Sequence, residues 1–179
     1  VNDSDLAVDK GNFFVELGSV VSKLAEGMLA SLAIFVLTLV FSLPLGLLLM
    51  FVRLSKVNVI RWIAKIYISI MRGTPLMLQL LVVFFGPYYV FGISLSYSYR
   101  FYAVIIGFAL NYAAYFAEIF RSGIQAIPVG QSEAATVLGY TRAQTFVRII
   151  LPQMTRIVLP PVTNEVITLV KDTSLAFAL

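Results

Sequence analysis

Cysteine and histidine are both missing from the 179 residues. Without thiols there is no disulfide framework, thiolate metal site or cysteine nucleophile, and without imidazole there is no Ser-His-Asp triad. Charge is scarce as well. Charged residues make up 12% of the chain and hydrophobic ones 60%, and the mean hydropathy is +0.93, far outside the range of a soluble globular domain. The composition is that of an all-α integral membrane protein. A glycine-rich loop ending in Lys-Ser/Thr is also missing, so the chain has no P-loop for a nucleotide. Any energy source must be borrowed.

About twenty apolar helical residues cross the hydrocarbon core of a bilayer, and the uncharged runs predict four spans. The first is Gly27 to Val52, where Pro44 and Gly46 are expected to kink the helix. It reads as a true span, and a secretory signal is not expected before it. The second starts within "IRWIAKIYISIM" and continues past Arg72-Gly73-Thr74-Pro75 into "LMLQLLVVFFGPYYVF", with a break inside the hydrophobic region. The third is Phe101 to Phe120, and the fourth and weakest runs from about Ile157 to Val170. Residues 1–26 then form an extracytoplasmic or interfacial tail and residues 27–179 the membrane domain. Phe13, Phe14, Leu17, Val20, Val21 and Leu24 recur at helical spacing. They suit an amphipathic helix in the interface plane or an extension of the first span.

Lys and Arg beside the spans give the orientation. Arg53, Lys56, Arg61, Lys65 and Arg72 crowd the first link, whereas the N-terminal tail carries Asp3, Asp5, Asp9, Glu16 and Glu26. The tail is expected outside and the link in the cytoplasm. Alternation then puts "GISLSYSYR" outside and the segment from Arg121 to about Arg156 inside. The positive charge sits beside spans on one side, which the membrane explains without nucleic acid.

That inner segment contains "EAATVLGYTRAQTFVRIILPQ", Glu133 to Gln153. Pro128 and Gly130 punctuate the descent from the third span, Ser132 is a candidate cap for a helix "EAATVL", and Gly139 is placed to end it with positive φ. Thr141 and Gln144 have the spacing of a capping box for a second helix, "RAQTFVRIIL", which Pro152 is expected to stop or kink. Glu133 offers a charge, Ala134 and Ala135 allow close approach of another backbone, and Leu138, Tyr140 and Phe146 can fill pockets. A plain helical connector between spans is the simpler use of such a hairpin.

Glu133-Ala134-Ala135, three residues, Gly139, nine residues, Ile149, one residue and Leu151-Pro152 resembles in full the EAA loop of permease subunits of bacterial ATP-binding cassette importers. "RGTPLMLQL" (Arg72 to Leu80), "NYAAYFAEIFRSGIQAIPVGQ" (Asn111 to Gln131), "ILPQ" and "PPVTNEVITLVKDTSL" (Pro160 to Leu175) are similar to the polar amino acid permeases in particular. The resemblance implies a type I importer permease bundle in the bacterial inner membrane. Its EAA loop, about residues 121–153, would act as a coupling helix through Glu133, Ala134, Ala135, Leu138, Gly139 and Tyr140. The implied partners are two ATPase subunits carrying ATP and Mg²⁺, a second permease chain, an extracytoplasmic amino acid-binding protein and membrane lipid. The chain itself would perform no covalent reaction and hold no metal or cofactor. The family pattern also implies a fifth apolar span and a basic tail past Leu179, either outside this chain or absent in a natural truncation.

Polar residues within spans usually face a cavity, a partner helix or a transported solute. On the third span Asn111, Tyr115 and Glu118 fall at i, i+4 and i+7. On the fourth, Asn164, Glu165 and Thr168 lie near mid-span, followed by Lys171 and Asp172. Glu165 suits either an ion pair with a neighbouring helix or, with Asn164, a solute site favouring a cationic amino acid such as arginine, histidine or lysine; glutamine is the neutral possibility. Glu118 lies one turn from Arg121, the spacing of a local salt bridge. Arg72, Gly73, Thr74 and Pro75 form a proline break to which gating is a possible addition, and Pro152 joins this structural set. An ion-gradient-driven secondary transporter would use the same broken helices and intramembrane acids, and a non-transporting membrane scaffold is a third class.

Overall fold

The computed structural model describes the backbone of residues 3–92 and 97–178 and the side chains of residues 16–92 and 99–176. Among these residues every regular element is helical. The "GISLSYSYR" connection lies partly outside the described residues.

The first helix, α1, runs from Asp3 to Arg53 without interruption. Its 51 residues, at a rise of 1.5 Å each, extend about 77 Å, more than twice the hydrocarbon thickness of a bilayer. The segment before Gly27 therefore extends the first span and is not a separate in-plane helix. Leu17, Val20, Val21 and Leu24 all stand exposed, while the side chains of Phe13 and Phe14 lie outside the described residues. Pro44 sits inside α1 without ending it. Two residues on, Gly46 lies so close to the fourth helix that a Cβ there would be 2.7 Å from the Cβ of Phe116 and 3.1 Å from the carbonyl oxygen of Ala113. Small residues permit such backbone approach between membrane helices.

The expected second span is two helices. α2 (Asn58–Gly73) and α3 (Leu76–Phe91) meet at 110° across a break of two residues, Thr74 and Pro75. Proline lacks an N–H and disfavours helical backbone in the residue before it. Thr74 accordingly turns out to φ −118°, ψ 148°.

The hub of the bundle is α4, Tyr97–Gln125, which packs against α1, α2, α3 and the last long helix. Phe108, Tyr112 and Phe116 are buried along it and join Ile34 of α1 and Leu80 of α3 in one apolar core. Gly107 admits the side chain of Leu80 and Gly123 that of Val158, so a Cβ at either position would displace that side chain. After α4 come α5 (Val129–Val137), α6 (Arg142–Thr145), a π-helical turn at Phe146–Ile150, α7 (Leu151–Asp172) and a 3₁₀ segment, Thr173–Ala178.

Two helical stretches, Glu16–Arg53 and Tyr99–Gln125, are long and apolar enough to cross a membrane, and the bent α2–α3 pair makes a third if counted as one span. The fourth expected span falls on α7. Its 22 residues would reach about 33 Å at the helical rise, but it does not meet the same test of composition. It carries Arg156, Asn164, Glu165, Lys171 and Asp172, and a helix so polar needs protein or water, not lipid, along part of its surface.

Candidate functional site

The segment from Val129 to Thr145 forms a helix, an elbow and a helix at one end of the bundle. Pro128 is the N-cap of α5, in extended backbone with φ −57° and ψ 134°. Because Pro128 sets the start, Ser132 lies inside the helix and caps nothing; its carbonyl accepts a hydrogen bond from Thr136 Oγ1. This replaces the expected start at Ser132. At the other end Gly139 has φ +79°, its N–H donates to the carbonyl of Thr136, and the N–H of Tyr140 donates to the carbonyl of Ala135. Those two bonds and the left-handed glycine define a Schellman stop. A capping box follows immediately: Gln144 N–H donates to Thr141 Oγ1 at 3.3 Å and Thr141 N–H to Gln144 Oε1 at 2.9 Å.

The elbow sorts its side chains cleanly. Ala135 is buried, and Glu133, Ala134, Val137 and Leu138 point outward, with Val137 88% and Leu138 74% exposed. Of the alanine pair only Ala134 is available to another molecule. Tyr140 turns the other way and, with Thr136, Thr145 and Phe146, lines a groove of about 910 Å³ between α4, α5 and α6. The backbone remains helical through Pro152, so it does not stop the chain's helical run, and a π turn at Phe146–Ile150 lies immediately before it. Pro152 occupies the first turn of α7, where a missing N–H leaves little unpaired, and the π turn before it gives the extra residue that this register needs.

The second polar region is the α2–α3 break. Thr74 Oγ1 donates to the Ile70 carbonyl at 2.8 Å. Gln79, one turn into α3, donates from Nε2 to Met71 O at 2.9 Å and to Thr74 Oγ1 at 2.6 Å. Asn111 of α4, buried at 4% exposure, donates from Nδ2 to Met71 O at 3.1 Å and to Gln79 Oε1 at 2.9 Å. Both amides thus serve the Met71 carbonyl, which Pro75 leaves without its helical partner. Beside them the Arg72 guanidinium lies 5.3 Å from the centroid of the Tyr115 ring, a cation–π distance. Next along that face, Glu118 is engaged by Nε and Nη2 of Arg121, so the local salt bridge forms.

The third is α7. Asp172 accepts a hydrogen bond from the Tyr112 hydroxyl at 2.7 Å, tying α7 to the centre of α4. Glu165 is half-buried, and the charges near enough to act on it are Arg72 and Asp172. Among the described residues it forms no salt bridge. Asn164 and Thr168 are exposed on the same helix, the Thr168 hydroxyl returning to the carbonyl of Asn164 at 3.0 Å. Arg72, Tyr115, Glu165 and Asp172 therefore approach one another from α2, α4 and α7, with Asn164 and Thr168 on an adjoining open face. The elbow residues form a separate group. Gln79 and Tyr112 are the participants that sequence reasoning missed, and the one signal for Gln79 is an amide set in an otherwise apolar run.

This arrangement of a polar-faced helix, a broken span and a helical elbow defines a helical membrane component. Residues 42–178 match the family model described as the binding-protein-dependent transport system inner membrane component. The chain belongs to that family. It is 39% identical over 153 residues to the L-cystine transport system permease protein TcyB of Bacillus subtilis (strain 168), a match covering 86% of this chain and 64% of that protein. It is also 39% identical over 150 residues to the arginine transport system permease protein ArtQ of the same organism, covering 84% and 67%. The chain thus spans somewhat under two thirds of the length of TcyB. A solved structure described as an amino acid ABC transporter with histidines superimposes with a TM-score of 0.81 at 33% identity, covering 92% of this chain and 75% of that one. The type I ABC permease fold is accordingly that of this protein.

Proposed function

We propose that this chain is a permease subunit of an ATP-driven amino acid importer, with its N-terminus outside the bacterial inner membrane and the α5–α6 elbow in the cytoplasm. The observation that carries the proposal is the elbow itself. A Schellman stop and a capping box fix two short helices at a set angle, and Glu133, Ala134, Val137 and Leu138 face outward with no partner among the described residues. Such a rigid, partly apolar projection suits a groove on an ATPase subunit, which would bind ATP and Mg²⁺. Closure of two ATPases would swing two elbows, one from each of two permease chains, and reorient the pathway between them. An extracytoplasmic binding protein would deliver the solute. The chain's own work is to present different contacts in the two states, and no covalent step is needed.

The solute pathway is assigned to the side where Glu165 and Asp172 of α7 lie near Arg72 and Tyr115, with Asn164 and Thr168 on the adjoining open face. A carboxylate pair opposed by one arginine, itself set against the Tyr115 ring, favours a solute carrying a positive side chain, and the names of the arginine and cystine relatives agree with a polar amino acid. Pro75 and the break it makes form the hinge of that pathway. Glu165→Gln is expected to reduce arginine uptake about tenfold or more, the loss of one charge-assisted contact, while glutamine uptake stays within twofold. Equal uptake of both solutes by the variant and the parent would remove Glu165 from the pathway.

The coupling role has its own test. The parent and a variant with Glu133–Gly139 replaced by a neutral linker are purified in mild detergent from cells that make the whole transporter. An ATPase subunit is expected with the parent alone. Its retention by the variant would separate the elbow from coupling, and a proton or sodium requirement for uptake would favour ion-driven transport.

A further inference from the structure

We infer that α2 and the end of α1 form a site for the phosphate headgroup of an anionic phospholipid, with Trp62 beside the acyl chains. The inference uses the membrane orientation proposed above; it shares Arg72 with the solute assignment, but the residues it tests, Trp62, Arg61 and Lys65, belong to neither the coupling nor the solute assignment.

At about 100° per residue, the side chains of α2 divide into three rows. Ala64, Tyr67, Ile68 and Met71 are packed against α1 and α4. Val59, Trp62, Ile63, Ile66 and Ile70 make an exposed apolar stripe, with Trp62 at 65% and Val59 at 67%. Between the packed row and that stripe lie Arg61, Lys65 and Arg72. A helix with an apolar row, a basic row and a tryptophan at their boundary is built to lie at a membrane surface, its cations level with the headgroups. The 110° turn into α3 frees α2 from the direction of the span that follows.

The basic row is not merely solvated charge. Arg53 at the end of α1 joins Asn58, Arg61, Trp62 and Lys65 around a recess of about 280 Å³. Arg61 Nη2 donates to Asn58 Oδ1 at 2.6 Å, which steadies the guanidinium. A second recess of about 410 Å³ shares Arg53 and Lys65 and adds Ser69, Arg72 and Glu118. Its single acid, Glu118, is engaged by Arg121. Among the described residues Arg53, Arg61 and Lys65 form no ion pair. A phosphodiester oxygen in the first recess would meet cations from two helices, and its acyl chains would run along the Trp62 stripe. An acidic protein partner would match the cations but leave the stripe bare; a second apolar helix would do the reverse.

Trp62 is the single tryptophan of this chain, so it reports on the site directly. The whole transporter is reconstituted in phosphatidylcholine nanodiscs containing a small fixed fraction of either brominated phosphatidylglycerol or brominated phosphatidylcholine. The quenching of Trp62 is taken as the difference from a Trp62→Phe variant. Brominated phosphatidylglycerol should quench on the order of fivefold more than brominated phosphatidylcholine, the enrichment that attraction by one juxtamembrane cation gives. Arg61→Gln with Lys65→Gln should abolish the preference, and Arg61→Lys with Lys65→Arg should keep it. Equal quenching by the two lipids, or a preference that survives the double glutamine variant, would overturn the site. Quenching by neither would show that protein covers Trp62. Loss of the preference on adding millimolar inorganic phosphate would reassign the recess to free phosphate.

Discussion

Gln79 carries more of the α2–α3 break than its single amide suggests. Its Nε2 reaches Met71 O, Thr74 O and Thr74 Oγ1, and its Oε1 accepts from Asn111. A buried carbonyl left without a partner costs about 1–3 kcal/mol in water-soluble proteins, whereas interhelical hydrogen bonds in membranes average nearer 0.6 kcal/mol. The lower figure fits Asn111→Ala, because Gln79 still holds Met71 O after that change. The higher fits Gln79→Ala, which frees the Thr74 carbonyl and deprives the buried Asn111 amide of its Gln79 acceptor, although Asn111 still holds Met71 O. Gln79→Ala is therefore expected to lower the thermal midpoint of the detergent-purified protein clearly more than Asn111→Ala does. The reverse order would mean that the link to α4, not the local bridge, holds the break. Spacing along α4 places Asn111 on a face with Tyr115 and Glu118, and that much is legible in the sequence. Its amide partners lie 32 and 40 residues away, and nothing in a single chain's pattern encodes such a pairing.

The elbow shows the opposite balance at the scale of elements. Its signals are local: Gly139 supplies a left-handed φ, and Thr141 and Gln144 close on each other across three residues. Short-range chemistry of this kind is readable because no distant contact has to agree with it. The one misread end has an equally local cause, since Pro128 takes the N-cap four residues before Ser132. Thr141→Ala should cost about 1 kcal/mol, the usual worth of an N-cap. Gly139→Ala forces an L-residue into the left-handed region, at roughly 1–2 kcal/mol. Both losses should appear as faster amide exchange between Leu138 and Thr145, with α4 unchanged and Gly139→Ala the faster of the two. Uniform acceleration across α4 and α7 would mean that the elbow is folded by the bundle and not by its own caps.

For the molecule as a whole, the decisive asymmetry is between α4, enclosed by four neighbours, and α7, which leaves Asn164, Thr168 and Lys171 uncovered. Four spans are easily counted from the sequence, yet the fourth is too polar to be an ordinary lipid-facing helix. Its open face is explained if water, solute or a second permease lies against it, while exposed apolar residues such as Leu32 at 56% and Val82 at 69% suit lipid. The cysteine-free sequence makes that distinction measurable, because an introduced thiol has no competitor within it. Thr168→Cys in a reconstituted transporter should react with a membrane-impermeant thiol reagent at least about tenfold faster than Leu32→Cys or Val82→Cys, since thiolate forms only where water reaches. A saturating amino acid substrate should slow the reaction at Thr168→Cys and leave the other two unaffected. Thr168→Cys labelling as slowly as Val82→Cys would place the polar face of α7 against protein, and a rate indifferent to substrate would make it a wet surface off the pathway.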